Sequence, residues 1–127
     1  MIEDYKTHEF SRYTSRLKGY NRKYPREMTN IRKNLDRTLY LVDELDISIH
    51  QLARSFAPLR CEFDDVFRVT QQGTGAGLAQ VRLYFRIEKP ERFLYLLGLG
   101  TKDRQSADIK YCKAIVREIA EQNRSRN

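Results

Sequence analysis

From Ala79 to Arg104 the chain reads AQVRLYFRIEKPERFLYLLGLGTKDR, and this stretch limits the fold more than any other. Between Val81 and Ile87 the side chains alternate: Val81, Leu83, Phe85 and Ile87 fall on one side, Arg82, Tyr84 and Arg86 on the other. Successive strand residues point to opposite faces, so the pattern predicts a half-buried strand with a cationic, aromatic, open outer face. A Lys-Pro-Glu turn follows, then a nearly continuous apolar run from Phe93 to Leu99, the signature of a strand buried on both sides. The exit is polar and basic, Gly100 to Arg104, and Gly98 and Gly100 leave the backbone open to close approach.

The preceding segments read as scaffolding for this pair. Ile2 to Thr7 suggests a short strand, and Thr7 is placed to cap a helix carrying Phe10, Tyr13, Leu17 and Tyr20 on one stripe, frayed from Gly19 to Lys23. Pro25 suits the first turn of a second helix, in which Met28, Ile31, Leu35, Leu39, Val42 and Leu45 recur every three or four residues. A short connection predicts that the two helices form an antiparallel hairpin on one sheet face. Asp46 to Leu59 fits either a helical turn or a packed loop. Glu62 to Thr70 reads as one strand with Phe67 and Val69 inward and Arg68 and Thr70 outward, giving a three-strand antiparallel meander. A last helix from about Ser106 presents Ile109, Cys112 or Lys113, Val116 and Ile119. The expected architecture is α+β: a helical hairpin and a C-terminal helix on a small mixed or antiparallel sheet whose other face is partly open.

At 127 residues the chain is expected to form a single domain, with Gln122 to Asn127 as a flexible tail. No apolar run approaches the roughly 20 residues of a membrane span, and the opening Met1-Ile-Glu-Asp does not read as a signal peptide, so a cytoplasmic protein without a membrane partner is expected. Cys61 and Cys112 lack metal-ligand spacing and read as reduced packing residues. The net charge of +7 favours a polyanionic partner, and Arg12 to Arg37 concentrates nine basic residues, Arg32 and Lys33 among them, against Glu27 and Asp36.

Most chemistry-bearing patterns have ordinary readings. The Gly73 to Gly77 segment has the composition of a phosphate-cradling loop, but a strand follows it where nucleotide-binding loops need a helix, so a hairpin tip is expected. His8 and His50 lie far apart without a ligand array, so neither a metal nor another cofactor is expected. No nucleophile motif supports hydrolase chemistry of the serine type. The outward strand set differs, because alternation gathers it: Arg68 and Thr70, then Arg82, Tyr84 and Arg86, then Lys102 would share one face. Arginines grip phosphates through paired hydrogen bonds, and a tyrosine stacks on a base. Cleavage of RNA by its own 2′-hydroxyl needs a proton acceptor, cations for the pentacoordinate phosphate and an acid for the leaving oxygen. The cations are present; no histidine lies in the set to serve the other two roles.

With these residues in view, the segments FRVTQ (67–71), QVRLYFRIE (80–88) and FLYLLGLGTKDRQSADIKYCKAI (93–115) resemble the RelE/ParE/HigB superfamily of type II toxin–antitoxin toxins, its HigB-like, phage-derived branch in particular. The resemblance rests on Val81-Arg82-Leu83-Tyr84-Phe85, the leucine-rich strand, the exit through Gly98, Gly100 and Lys102, and Asp108, Ile109 and Ala114 at the last helix. It implies a RelE-like fold and a ribosome-dependent mRNA endonuclease, neutralised by a cognate antitoxin. By this likeness Arg68, Arg82, Lys102 and Arg104 would be catalytic, with Tyr84, Arg86, Thr70, Arg32 and Lys33 contacting nucleic acid. Thr70 stands where the family has a second lysine, and Ile109 stands near a family tyrosine. ParE-like members keep the fold without nuclease chemistry and inhibit gyrase. A non-catalytic binder acting through Arg32 and Lys33 therefore stays open beside the mRNA interferase.

Overall fold

The computed structural model describes residues 1–71 and 78–125. A 3-10 turn (Ile2–Asp4) leads into β1 (Lys6–Glu9), α1 (Ser11–Lys23), α2 (Pro25–Leu45), the short α3 (Ile49–Leu52), β2 (Leu59–Phe63), β3 (Val66–Thr70), β4 (Val81–Glu88) and β5 (Phe93–Thr101). A second 3-10 turn (Lys102–Arg104) opens into α4 (Gln105–Ser125). The five strands form one mixed sheet in the order β1-β5-β4-β3-β2, with β1 parallel to β5 and every other pair antiparallel. The fold is α+β, a five-strand mixed sheet with four helices. Among the described residues, no helix is long and apolar enough to cross a membrane.

Two cores explain the arrangement. On one face, Tyr13 of α1 and Met28, Ile31, Leu35, Leu39 and Val42 of α2 meet Phe67 and Val69 of β3, Val81, Leu83 and Phe85 of β4, and Leu94, Leu96 and Leu99 of β5. The helical period of α2 and the two-residue period of β4 thus bury most of the side chains they predict; Leu45, at the last turn of α2, is exposed instead, and Ile87 near the end of β4 is half-buried. On the other face, Val66, Tyr84 and Leu97 pack against Cys112, Ile115 and Ile119 of α4. The β4–β5 ladder slips between Tyr84 and Phe85, where Tyr84 pairs with Gly98 and Phe85 with Leu96. Leu97 is the extra residue, and the bulge turns it into the second core.

The second core closes the face that alternation left open. The apolar stripe of α4 must be buried, and α1 and α2 already occupy the other side of the sheet, so α4 settles over the arginine-bearing face. Tyr84 is wholly buried and Arg82 is 5% exposed; neither stands on an open surface. Gly100 makes this docking possible: a Cβ there would lie 1.8 Å from Asp108 Oδ2. The close approach expected at the glycines of β5 is made by the chain's own helices, by Arg12 of α1 at Gly98 and by Asp108 of α4 at Gly100.

Five local expectations change. The strand expected over Ile2 to Thr7 begins only at Lys6, because Ile2–Asp4 forms a 3-10 turn. The single strand expected over 62–70 is broken: residues 59–70 form a hairpin, because the chain turns at Asp64 and Asp65, with Asp64 in the left-handed region (φ 47°) that aspartate tolerates. The expected meander gains β2 on that edge. Thr7 does not cap a helix: parallel pairing extends β1 to Glu9, with Lys6 N–H donating to Arg92 O (2.8 Å) and Phe10 N–H to Leu96 O (3.0 Å), so α1 begins at Ser11. At its other end α1 stays helical through Lys23. Finally, α4 continues to Ser125, through positions expected to be a tail. Of the open stretch 46–59, residues 49–52 form α3, where the Ser48 hydroxyl accepts from Gln51 N–H at 3.1 Å. The Gly73 to Gly77 segment lies outside the described residues.

Candidate nucleic-acid interface

Strand register brings the predicted set together. Arg68 lies opposite Tyr84 and Thr70 opposite Arg82 on β3 and β4, while Arg82 faces Gly100 of β5. Burial then removes Arg82 and Tyr84 from solvent and leaves Arg68, Thr70 and Arg86 half-buried. Arg82 Nε and Nη1 have no hydrogen-bond partner, nor has the Tyr84 hydroxyl. Burial pushes the Tyr84 hydroxyl up to about 12, with the neighbouring Arg82 charge opposing that shift. Arg68 pairs with Glu62 at 3.0 Å and Arg86 with Glu88 at 3.6 Å. The Thr70 hydroxyl donates to Pro58 O at 3.5 Å.

The helix over this face is fastened from α1. Asp108, 1% exposed, accepts from Arg16 at 3.0 Å and Arg12 at 3.3 Å on a single oxygen. Arg12 also donates to Ala107 O (3.2 Å), and its guanidinium carbon stands 4.3 Å from the Tyr111 ring centroid. Arginine suits this place because its planar group stacks on a ring and donates in several directions at once. Gathering Arg12 and Arg16 here takes two of the basic residues of 12–37 out of the solvated face the sequence suggests.

Lys102 and Arg104 stand elsewhere, on the wall of an open groove of about 960 Å³. Arg16, Tyr20, Lys23 and Tyr24 form one side, Thr101 to Arg104 the other, with Ala79 and Gln80 between. Tyr20 and Tyr24 meet edge to face at 5.2 Å, and Lys23 Nζ lies 5.4 Å from the Tyr24 ring centroid. Lys23, Lys102 and Arg104 form no salt bridge with a described residue. The single carboxylate of the groove, Asp103, accepts from the Thr101 hydroxyl, and that bond holds its carboxyl below the usual range. Burial raises the Tyr20 hydroxyl, which makes it a poor proton acceptor near neutrality. What the groove offers is mobile positive charge beside aromatic faces, the combination that holds a phosphate backbone and stacks a base.

The groove's inner edge is held by residues whose part the sequence did not reveal. Glu27, 5% exposed, accepts from Ala79 N–H at 3.0 Å. Gln71 donates through Nε2 to Ala79 O and accepts from Val81 N–H at 3.2 Å. Arg16 and Lys23 were visible as basic residues and Tyr20 as an apolar helix position, Tyr24 was not singled out, and nothing local places any of them beside Lys102. Arg32 and Lys33 do not join the groove; both are exposed on α2, where Arg32 donates to Asn21 at 2.6 Å.

Cys112 is buried and burial pushes its thiol up to about 12, whereas Cys61 is exposed, so only the former is a packing residue. Among the described residues no group of His, Cys, Asp and Glu could hold a metal ion. No family model, curated protein or solved structure matches the chain.

Proposed function

We propose that the chain is an RNA-contacting protein of the RelE/ParE/HigB toxin type, and that it grips the RNA backbone in the groove between the end of α1 and the exit of β5. The observation that carries this reading is the convergence of Lys23, Lys102 and Arg104, unpaired among the described residues, on a cavity walled by Tyr20 and Tyr24. Phosphates would sit against the three cations, with Arg104 able to donate in paired fashion, while a base stacks on tyrosine. In this reading α1 and α2, joined at Tyr24, serve as the family's helical hairpin, and an antitoxin neutralises the protein in the cytosol by covering the groove.

The endonuclease version asks for more. The cations can stabilise a pentacoordinate phosphate, but Tyr20 and Asp103 are both shifted away from proton transfer near neutral pH. Arg82 and Arg68, the phosphate-handling positions suggested by the resemblance, are buried or ion-paired. The binder reading is therefore preferred to the interferase.

Fluorescence anisotropy with a single-stranded RNA tests it: Lys102→Glu with Arg104→Glu should weaken binding at least tenfold in a folded protein. Unchanged affinity would exclude the groove. Cell-free translation with primer extension separates the two versions, since ribosome-dependent cuts in the message would restore the interferase and an intact message would leave the binder.

A further inference from the structure

At the opposite end of β5, roughly 26 Å from the groove by strand rise, lies a cavity of different character. It measures about 440 Å³, within the range of small-molecule sites, and is walled by His8 and Phe10, by Phe93 and Tyr95 of β5, and by two carboxylates, Glu88 of β4 and Glu118 of α4. The rings converge: His8 lies 4.7 Å from Phe10 and 6.1 Å from Tyr95, and Phe10 and Phe93 each lie 6.2 Å from Tyr95, all between centroids. Among the described residues its lining contains no lysine or arginine, in a chain with a net charge of +7.

We infer that this cavity binds a compact, weakly hydrated organic cation of the quaternary ammonium class. Aromatic faces carry negative potential and attract cations whose hydration is easily shed, while nearby carboxylates add charge without demanding hydrogen-bond donors from the ligand. A divalent metal would require a shell of oxygen or nitrogen ligands that these rings do not supply. The molecule already uses one ring in this way: Lys6 Nζ stands 5.7 Å from the Phe93 centroid. The two carboxylates differ. Glu88 is shared with Arg86 at 3.6 Å and with the Tyr95 hydroxyl at 3.4 Å, while Glu118 forms no salt bridge with a described residue. Glu118 therefore supplies the main electrostatic attraction, and Lys6 is the charge with which a ligand competes.

Choline and its neutral isostere 3,3-dimethylbutanol form the discriminating pair of probes, titrated into the full chain and followed by amide chemical shifts. Choline should bind saturably with roughly millimolar affinity, shifting His8 and Tyr95, and the neutral isostere at least tenfold more weakly. Glu118→Gln should weaken choline binding several-fold and Phe93→Leu at least tenfold, whereas Lys6→Gln should strengthen it; amide dispersion reports that each variant is folded. A trimethyllysine peptide distinguishes sources: tighter binding than choline assigns the cation to a polypeptide, equal binding to a free small molecule. Absence of a saturable choline shift at tens of millimolar, or equal binding of the two isosteres, overturns the inference.

Discussion

Two basic regions of this molecule share a sequence signature and differ in everything that follows from burial. Arg82, Tyr84 and Arg68 lie on the central strands beneath α4, where Arg68 is held by Glu62 and part of the Arg82 guanidinium has no partner. Lys23, Lys102 and Arg104 lie at element ends around an open groove. A buried guanidinium left partly unpaired, as at Arg82, is a burden on stability, because its desolvation is only partly compensated. In the second setting a cation keeps its hydration until a ligand replaces it. The lesson is that alternation assigns a side chain to a face, while the remaining elements decide whether that face meets water.

The difference can be broken most severely at the contact that buries the first region. Asp108→Ala leaves Arg12 and Arg16 without their shared acceptor and should destabilise the protein by about 3 kcal/mol, read from urea unfolding. Gly100→Val should act similarly by displacing Asp108. A loss below about 0.5 kcal/mol in both would mean that α4 is not fastened there.

Alkaline pH should come next. Folded Tyr84 and Cys112 keep their protons up to about 12, while the unfolded chain releases them from their ordinary values of 10 and 9. The unfolded state therefore binds fewer protons in that window, and stability falls as pH rises from about 9 towards 12, by about 2 kcal/mol after allowance for screening and relaxation. Cys112→Ala should make the fall shallower, most of all between about pH 9 and 10, where the unfolded thiol releases its proton and the folded one does not. A flat profile to pH 12 would contradict the burial of both groups.

The open region should respond in binding rather than stability. Exchanging Lys102 and Arg104 for glutamine should lower the dependence of log affinity on log salt by about 1.4, close to 0.7 per phosphate contact on a single strand, with an unchanged urea midpoint. The smallest effect is the most diagnostic. Arg82→Met keeps side-chain length but removes the buried charge, and should stabilise the protein by about 1 kcal/mol while leaving RNA affinity alone. Loss of RNA binding in folded Arg82→Met would reverse the assignment of the two regions.

The sequence disclosed what periodicity can carry. The whole of α2 from Pro25 and the inward set Val81, Leu83 and Phe85 were legible because each repeats with the period of its own element. The β2–β3 hairpin was not, because Asp64 and Asp65 turn the chain without the glycine or asparagine that usually marks a tight turn. The strand character of His8 and Glu9 is imposed by β5, a long-range partner that local pattern cannot register. Within the candidate site, Lys102 and Arg104 could be read as a basic exit, but Tyr20, Lys23 and Tyr24 become their neighbours only through the packing of α1 on the sheet.

The parallel pairing of β1 with β5 has a consequence in time. Lys6 to Glu9 are synthesised well before their partners Phe93 to Leu96, which emerge only after α1, α2, α3 and strands β2 to β4. During translation β1 has no edge to join, and α1 cannot clasp Asp108, which comes later still. The α2 helix and the β2–β3 hairpin can form from local contacts, but closing the sheet is a late, non-local step of the kind that slows folding. Until that step the rings of His8, Phe10 and Tyr95 remain apart, so the aromatic cavity they line comes into being only when β5 has paired with β1.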